Sequence, residues 1–333
     1  MRKRILIVSP ALARANNGNW QTASRWARFL RGAYEVEVTD AWQSKDPAPD
    51  LLIALHARRS ASSLAAFTNA HPDKPTLLVL TGTDVYRDIH DAPEAQASLR
   101  RATALVVLQD DAVNQLPAGL HPKTHVIYQS APALRPWQPP ATRRYFDVCM
   151  IGHLRDEKDP LTFIRAAAHL THPAARLLHI GGALAAELGE AATAAMQAHP
   201  RYRWLGPLPH ADARQRLKRC HAMAIASKME GGANVIIEAV TCGVPVFASD
   251  IGGNRGMLGA DYAGYFPLGD DQALARLIER SILDAPFYEL LRRQCAERAR
   301  LFAPEAEQAA LRDLVDNLLR ANLQAITKGL EPT

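Results

Sequence analysis

Long hydrophobic runs are absent from this sequence of 333 residues. The first apolar run, Ile5 to Val8, is too short for the core of a signal peptide, and no later run approaches the length of a membrane span. We therefore expect a cytoplasmic protein with no stable membrane association. Cysteine is also scarce: Cys149, Cys220, Cys242 and Cys295 form no Cys-x-x-Cys pair and lie in or beside apolar segments, which favours free, buried thiols.

Patterns that would indicate several other classes of protein are missing as well. The loop after the first apolar run lacks the full G-x-G-x-x-G pattern, so it does not indicate a dinucleotide site. The sequence has neither metal-ligand spacing nor an internal repeat, and we expect no metal and no cofactor. No helix has a basic stripe, and basic and aromatic residues do not interleave, which argues against nucleic acid as a partner.

The positive charge of the chain is concentrated in its first half. Residues 1–146 carry 18 Lys and Arg against 12 Asp and Glu, a net charge of +6, whereas the remaining residues carry 21 against 22, a net charge of −1. An excess of this kind suits an anionic ligand, an acidic membrane surface or nucleic acid. It is also compatible with an ordinary solvated surface.

Strands and helices alternate along the chain, which predicts an α/β protein with open parallel sheets covered on both faces. Four prolines in the ten residues from Ala131 to Pro140 indicate a stiff linker. We therefore predict two Rossmann-like domains, residues 1–140 and residues 141–305. The last long helix is predicted to begin after Pro304 and to end near Asn322.

The most informative stretch is Ser227–Ser249. Gly231 and Gly232 precede an apolar segment that is predicted to be helical from Asn234, and backbone N–H groups at such a helix start suit phosphate or sugar oxygens. Glu238 lies inside this helix, where a carboxylate needs a partner. A diol is one possible partner because two adjacent hydroxyls can donate to one carboxylate, and a nearby arginine is the other.

Glu230, seven further residues, Glu238 and then Ala-x-x-Cys-Gly-Val-Pro-Val form a specific pattern. It resembles the nucleotide-sugar signature of glycosyltransferase family 4, whose members have the GT-B fold. The resemblance implies that Glu238 holds the ribose diol, that Glu230 lies by the donor sugar, and that Gly231, Gly232 and Asn234 help to bind the donor. It also implies two domains that face a cleft, with a C-terminal helix, about residues 306–333, packed on the first domain.

A second segment, Gly152–Lys158, resembles the Gly-Arg-Leu-x-x-x-Lys segment of the same family, whose cations hold the donor diphosphate. Lys158 matches the family lysine. The family arginine position is occupied by His153, so the arginine role passes to Arg155, two residues further on. The resemblance thus implies that Arg155, Lys158 and Glu230 are the catalytic residues and that no metal takes part. A charged cluster at a helix start is the alternative, although cations are unfavourable there without an anion.

Two glycine-containing turns extend this resemblance. Tyr202–His210 is similar to the family's strand and loop beside the base, which implies base recognition by backbone groups around Gly206 and Leu208. A tight turn between a strand and a helix would look the same. In Ser249–Gly256 the family often has Gly-Gly-x-x-Glu, and this sequence instead has Asn254 and Arg255, which adds a cation where an acid is usual.

Polar residues in the first domain follow predicted strand ends, where open α/β sheets bind their ligands. The residues expected on the acceptor side are Gly18, His56, Arg58, Arg59, Thr83, Asp84, Arg87, Lys228 and Arg255. A histidine of this kind is also common as a purely structural residue. Two strand-end loops that both supply cations favour a functional role over a purely structural one.

Four segments together are most similar to one branch of family 4, the selenosugar synthases of selenoneine biosynthesis: Leu55–Ala61, Thr81–Asp88, Gly152–Pro160 and Ser227–Asn234. This resemblance implies transfer from a UDP-sugar, either UDP-N-acetylglucosamine or UDP-glucose, to selenophosphate, with a 1-seleno-sugar, UDP and phosphate as products. Two alternatives remain open. One is a family 4 enzyme with a hydroxyl acceptor, in which His56 or Asp84 acts as base. The other is a nucleotide-sugar-binding protein without catalysis.

Overall fold

The structure is a computed structural model that describes residues 2–12, 18–82, 84–135, 137 and 143–329. The chain forms two compact units, residues 1–129 with 304–333, and residues 130–303. Each unit is built on its own sheet of six parallel strands. The expected α/β architecture with two open parallel sheets is therefore confirmed.

The first unit has strand order β2-β1-β3-β4-β5-β6. Its strands are β1 (Arg4–Val8), β2 (Glu35–Thr39), β3 (Leu51–Leu55), β4 (Thr76–Leu80), β5 (Ala104–Val107) and β6 (Thr124–Val126). Its first four helices are α1 (Gly18–Leu30), α2 (Ala61–Ala70), α3 (Ile89–Asp91) and α4 (Pro93–Arg101). Asp84–Asp88 forms a π-helical turn, and Asp110–Gln115 and Ala118–Lys123 form 3-10 turns.

The central strands of this sheet are buried on both faces because helices cover both. Side chains alternate between the faces, so Ile5 and Ile7 of β1 join the core on the α1 side. Leu6 and Val8 join the opposite core, which includes Leu64 of α2. This two-sided burial explains why the strands are nearly continuous apolar runs rather than alternating ones.

The second unit has strand order β12-β11-β10-β7-β8-β9. Its strands are β7 (Phe146–Ile151), β8 (Ala175–Ile180), β9 (Tyr202–Trp204), β10 (Ala222–Ile225), β11 (Val246–Ser249) and β12 (Tyr265–Phe266). Its helices are α5 (Pro160–His169), α6 (Ala186–Ala198), α7 (His210–Leu217), α8 (Asn234–Thr241), α9 (Gly252–Leu258), α10 (Asp271–Leu283) and α11 (Ala285–Ala299). Asp156–Lys158 and Arg300–Phe302 form 3-10 turns.

The last helix, α12 (Pro304–Gly329), belongs to the first unit and packs against α1. Leu311 and Val315 enter the core on the α1 side of the sheet. The predicted end near Asn322 is wrong, because the helix continues to Gly329.

A buried carboxylate anchors the start of α12. Glu307 has no exposed side-chain surface and accepts hydrogen bonds from Trp26 Nε1 at 2.8 Å and from Arg25 Nε at 2.8 Å. Both donors lie on α1. The ion pair therefore joins residues that are 282 positions apart in sequence, and breaking a buried pair of this kind is costly.

The sequence predicted free, buried cysteines and no membrane-spanning segment. All four cysteines are free, and Cys149, Cys220 and Cys295 are buried, whereas Cys242 is only partly buried. Within the described residues, none of the helices combines the length and the apolar character needed to cross a membrane.

Replacing Glu307 by alanine should lower the free energy of unfolding by about 3 kcal/mol, because Arg25 would lose this buried ion pair and Trp26 its hydrogen-bond acceptor. Glu305→Ala, an exposed residue of the same helical turn, should change it by less than about 0.5 kcal/mol. Urea unfolding followed by circular dichroism measures both. Equal stability of the two variants would show that the buried pair does not anchor α12.

Candidate active site

The residues expected to bind the donor follow the carboxyl ends of strands in the second unit. Gly206 follows β9, the segment from Ser227 to Ala233 follows β10, and α9 begins shortly after β11. Because all six strands are parallel, these ends lie at one edge of the sheet. Each loop therefore presents its polar groups to the same side of the second unit.

Three glycines continue the strand pairing beyond the ends of β7, β8 and β9. The Gly152 N–H donates to Ile180 O at 2.9 Å, and the Gly181 N–H donates to Gly206 O at 2.9 Å. A Cβ atom on Gly181 would lie 1.9 Å from Gly152 O. Only glycine permits this approach, which brings the loop that carries His153 close to the loop after β8.

His153, which stands at the position of the family arginine, is held by this neighbouring loop. Its Nδ1 accepts a hydrogen bond from the Gly182 N–H at 3.2 Å. Arg155 is half exposed, and its Nε lies 3.9 Å from Glu157 Oε2. The Arg155 guanidinium is thus only weakly held by a carboxylate, as a cation available to an anion would be.

Lys158 and Glu230, both expected to be catalytic, lie together in the structure. Lys158 Nζ donates to Glu230 Oε1, and the two side chains are 19% and 11% exposed. Beside them, Lys228 Nζ donates to Asp156 Oδ1 at 2.6 Å, and the Lys228 N–H donates to Glu157 O at 2.9 Å. These contacts join the 3-10 turn after β7 to the loop after β10.

The start of α8 has the features of an anion-binding helix end. Its N-cap residue is Ala233, whose side chain cannot accept a hydrogen bond, and its first turn contains no acidic residue. Gly231 is buried and Gly232 partly buried directly before it. The positive end of the helix dipole is therefore not neutralised by a capping carboxylate from its own first turn.

Glu238 is buried within α8, and its partner is a histidine rather than the arginine considered from sequence. Glu238 Oε1 lies 2.6 Å from His210 Nε2, and the side chains are 10% and 57% exposed. The hydrogen bond to Glu238 raises the pKa of His210. Sequence reasoning missed this role of His210, although the residue lies in the loop after β9 that already resembled a base-binding segment.

Gly206 and Leu208 lie between β9 and α7, in the loop that leads to His210. Gly206 has φ +69°, a conformation that favours glycine, and a Cβ atom there would meet no other atom within 4 Å. Trp204 Nε1 donates to Gly181 O at 2.8 Å and so fixes the beginning of the loop. The loop is thus a tight turn with open space beside its backbone.

Arg255 lies on α9, and its guanidinium makes a bidentate ion pair with Asp250. Nε is 2.5 Å from Oδ1 and the second nitrogen 2.7 Å from Oδ2. The neighbouring Asn254 is buried and donates to Ser249 O at 2.9 Å. This buried hydrogen bond explains why an asparagine occupies the position. Gly253 is required because a Cβ atom would lie 2.0 Å from Glu230 O.

In the first unit, Asp84 is fully buried, and the hydrogen bonds to its carboxylate come from backbone N–H groups. It accepts hydrogen bonds from Ala57 N at 2.9 Å, Thr81 N at 3.0 Å and Gly82 N at 2.8 Å. These contacts tie the loop after β3 to the loop after β4. A carboxylate that is occupied in this way is better suited to positioning than to proton transfer.

His56 and Asp88 form the centre of a charged cluster beside Asp84. His56 has φ +74°, which strains a residue other than glycine, and burial lowers its pKa, against the opposing effect of Asp84. The buried carboxylate of Asp88 lies 3.7 Å from His56 Nε2, 3.1 Å from Arg58 Nε and 3.3 Å from Arg87 Nε. Asp88 was missed from sequence, and the turn that presents it is π-helical, a feature common at functional sites.

The remaining acceptor-side residues are placed as follows. Arg59 is exposed, and its N–H donates to His56 Nδ1 at 3.4 Å. Gly18 is the first residue of α1, and Thr83 lies outside the described residues. Lys228 and Arg255 belong to the second unit and pair there with acids, as described above. Across the described ranges, no group of three or more His, Cys, Asp or Glu side chains is arranged to hold a metal ion.

Comparisons with known proteins agree with this architecture. Residues 136–302 match the protein family described as glycosyl transferases group 1. Among solved structures, the fold is similar to Anabaena HepE in complex with UDP-glucose, with 17% identity, 95% of this chain and 100% of that chain covered, and a TM-score of 0.72. Sucrose-phosphate synthase from Thermosynechococcus elongatus gives 18% identity, 96% and 100% coverage, and a TM-score of 0.76.

A third similar structure is a glycosyltransferase from Rickettsia africae, with 14% identity, 96% and 99% coverage, and a TM-score of 0.71. Identities at this level establish the fold, which is GT-B. The expected GT-B fold is therefore confirmed.

Replacing Glu238 by glutamine should lower the pKa of His210, because the carboxylate is the main cause of its increase. A raised pKa in the folded state means that the contact stabilises the protein at low pH, and that this contribution disappears as pH rises through the folded-state pKa. Proton NMR titration of the histidine rings measures the change. The exposed control Glu190→Gln should leave the titration unaltered, and an unaltered His210 in Glu238→Gln would contradict the pairing.

Proposed function

Because the chain belongs to the family of glycosyl transferases group 1, we propose that it transfers a sugar from a UDP-sugar donor. The observation that carries this proposal is the position of Glu238. Its carboxylate is buried at the loop edge of the sheet, and its partner is a ring that is 57% exposed. Such a partner is easily exchanged for the two hydroxyls of a ribose.

The surroundings of Glu238 support this assignment. Gly206 and Leu208 lie in the loop before His210, where backbone groups would meet the uracil ring. Anabaena HepE, which shares the fold, has been solved with UDP and with UDP-glucose. We extend that ligand class to this chain, with UDP-glucose or UDP-N-acetylglucosamine as the donor.

In the proposed reaction the bond between the anomeric carbon and the β-phosphate oxygen breaks, and its electron pair leaves with UDP. Charge therefore accumulates on the diphosphate as the sugar gains oxocarbenium character. Arg155, Lys158 and the start of α8 would stabilise that charge electrostatically. Glu230 fixes the Lys158 ammonium through their ion pair and would lie by the donor sugar.

For the acceptor, we propose selenophosphate, as in the selenosugar synthase branch of family 4. Selenium would attack the anomeric carbon, and water would then cleave the phosphorus–selenium bond, so that the products are a 1-seleno-sugar, UDP and phosphate. One feature supports this choice: Arg58, Arg59 and Arg87 supply cations beside His56. An anionic selenium needs no base, so this reaction does not require a neutral His56.

A hydroxyl acceptor is the second candidate, and one observation favours it. His56 Nε2 lies 3.7 Å from the buried carboxylate of Asp88, and burial lowers the pKa of His56. Both groups are thus close together, and a neutral histidine is a suitable general base. In that case a sugar or lipid hydroxyl would lose its proton to His56. The two candidates predict opposite effects of substitutions in this cluster.

Glu238→Ala should weaken UDP binding by about 2–3 kcal/mol, because charge-assisted hydrogen bonds to the ribose are lost. Calorimetric titration with UDP measures the change. His210→Ala removes the competing partner but keeps the carboxylate, so it should bind UDP at least as tightly as the unmodified protein. A folded Glu238→Ala variant with unchanged affinity would refute the assignment of the ribose site.

Kinetics on the His56 cluster should distinguish the acceptors. With selenophosphate, Arg58→Ala and Arg87→Ala should lower kcat/KM about tenfold or more, as expected for lost charge-assisted contacts, while His56→Ala should have a smaller effect. With a hydroxyl acceptor the order reverses. Arg100→Ala, an exposed arginine of α4, serves as the control.

The products should be identified by mass spectrometry, with each UDP-sugar supplied alone, with selenophosphate and with a panel of sugar acceptors. A seleno-sugar that forms only with selenophosphate supports the first candidate. Transfer to a sugar hydroxyl supports the second. If pure, folded protein shows no transfer and no donor hydrolysis, that result would contradict a catalytic function.

A further inference from the structure

Seven arginines lie at the amino edge of the second sheet, the edge opposite the loops described above. We call this group the arginine edge: Arg143, Arg144, Arg176, Arg201, Arg203, Arg216 and Arg219. The arginines line two adjoining cavities of about 330 Å³ and about 460 Å³. Both cavities include Arg144, Tyr145 and Arg176 in their walls.

Carboxylates compensate only a small part of this charge. Among the described residues, Asp147 is the one acid that lines the cavities, and it pairs with two arginines, Arg176 at 2.6 Å and Arg143 at 3.3 Å. The exposed arginines Arg144, Arg203, Arg216 and Arg219 have no carboxylate within 4.0 Å among the residues that the structure describes. Like charges gathered in this way repel one another.

Helix ends explain three members of the group. Helices in an open α/β sheet run opposite to the strands, so their carboxyl ends reach this edge, and cations are favourable there. Arg201 donates to Leu170 O at 2.5 Å, directly after α5, and Arg143 donates to Arg219 O at 2.6 Å, after α7. Arg216 lies in the last turn of α7 itself. The side chains of Arg144, Arg203 and Arg219 make no comparable contact in the described part of the unit.

Aromatic rings hold part of the edge in place. The Arg143 guanidinium lies 4.8 Å from the centre of the Trp137 ring, and Arg176 lies 4.3 Å from the centre of the Tyr145 ring. Both guanidinium groups also donate to Asp147, so they fix this wall of the cavity. The exposed arginines beside them are the groups that would bind phosphate oxygens. The concave shape, with cavities of several hundred Å³, fits a small molecule better than a flat surface would.

We propose that the arginine edge binds a small, soluble anion that carries a diphosphate or another multiply charged phosphate group. This site is separate from the proposed donor site, because it lies at the other end of the same strands. Its ligand would neutralise charges that the protein leaves uncompensated. Phospholipid headgroups share this chemistry, and the experiment below separates the two sources.

The test is calorimetric titration of the full chain with inorganic pyrophosphate while excess UDP is present to occupy the proposed donor site. We expect one further binding equilibrium, which salt weakens. Arg216→Ala with Arg219→Ala should weaken it at least tenfold, and so should Arg144→Ala alone. Arg276→Ala with Arg293→Ala, exposed arginines of α10 and α11, is the matched control and should leave it unchanged.

Trp137 fluorescence provides a second readout, because the ring stacks on Arg143 at the cavity wall. Comparing the double variant of the arginine edge with the control double variant shows where pyrophosphate binds, whether or not UDP is bound at the proposed donor site. A failure of the proposed function can therefore be distinguished from a failure of this proposal. Absence of pyrophosphate binding, or equal loss in the matched control, would overturn the proposal. Binding to vesicles with anionic phospholipid but not to pyrophosphate would also overturn it, in favour of a membrane surface.

Discussion

Parallel pairing of all strands in each sheet is the constraint on which both candidate sites depend. Strands that run in one direction place all their carboxyl ends at one edge and all their amino ends at the other. In the second unit, the carboxyl edge is drawn together by the approach of Gly181 to Gly152, where no side chain fits. The amino edge instead receives the ends of helices and the arginines that contact them. One arrangement of backbone thus produces two chemically different surfaces.

The buried carboxylates differ chiefly in what compensates them. Asp84 is held by three backbone N–H groups, Glu230 by Lys158, and Glu238 by the exposed ring of His210. A buried charge without a partner is costly, so a ligand can take over such a carboxylate only where it replaces the existing partner. Backbone donors cannot move away, whereas an exposed side chain can turn into water. This difference separates a structural acid from one that is available for binding.

The sequence was sufficient to predict those parts of the fold that rest on long apolar runs. β3 is buried along its whole length and is therefore a continuous apolar run. α8 begins at Asn234, as predicted, directly after a glycine-containing loop. β6 was missed because it has three residues and none of them is buried. The partners of site residues were missed for another reason. His210 meets Glu238 across 28 positions, and Asp88 meets Arg58 across 30, and no local pattern encodes such contacts.

Charge counted along the sequence proved a poor guide to charge in space. The first half has the positive excess, yet Asp88 pairs with both Arg58 and Arg87 there. The second half has a net charge of −1, from 21 basic and 22 acidic residues, yet it contains most of the arginine edge. An anionic acceptor beside His56 must therefore compete with Asp88 for its cations. It would also favour a protonated ring, against the burial that lowers the pKa of His56. A neutral hydroxyl neither competes with Asp88 for the arginines nor favours a protonated ring. The protonation state of His56 in the complex therefore depends on which acceptor binds.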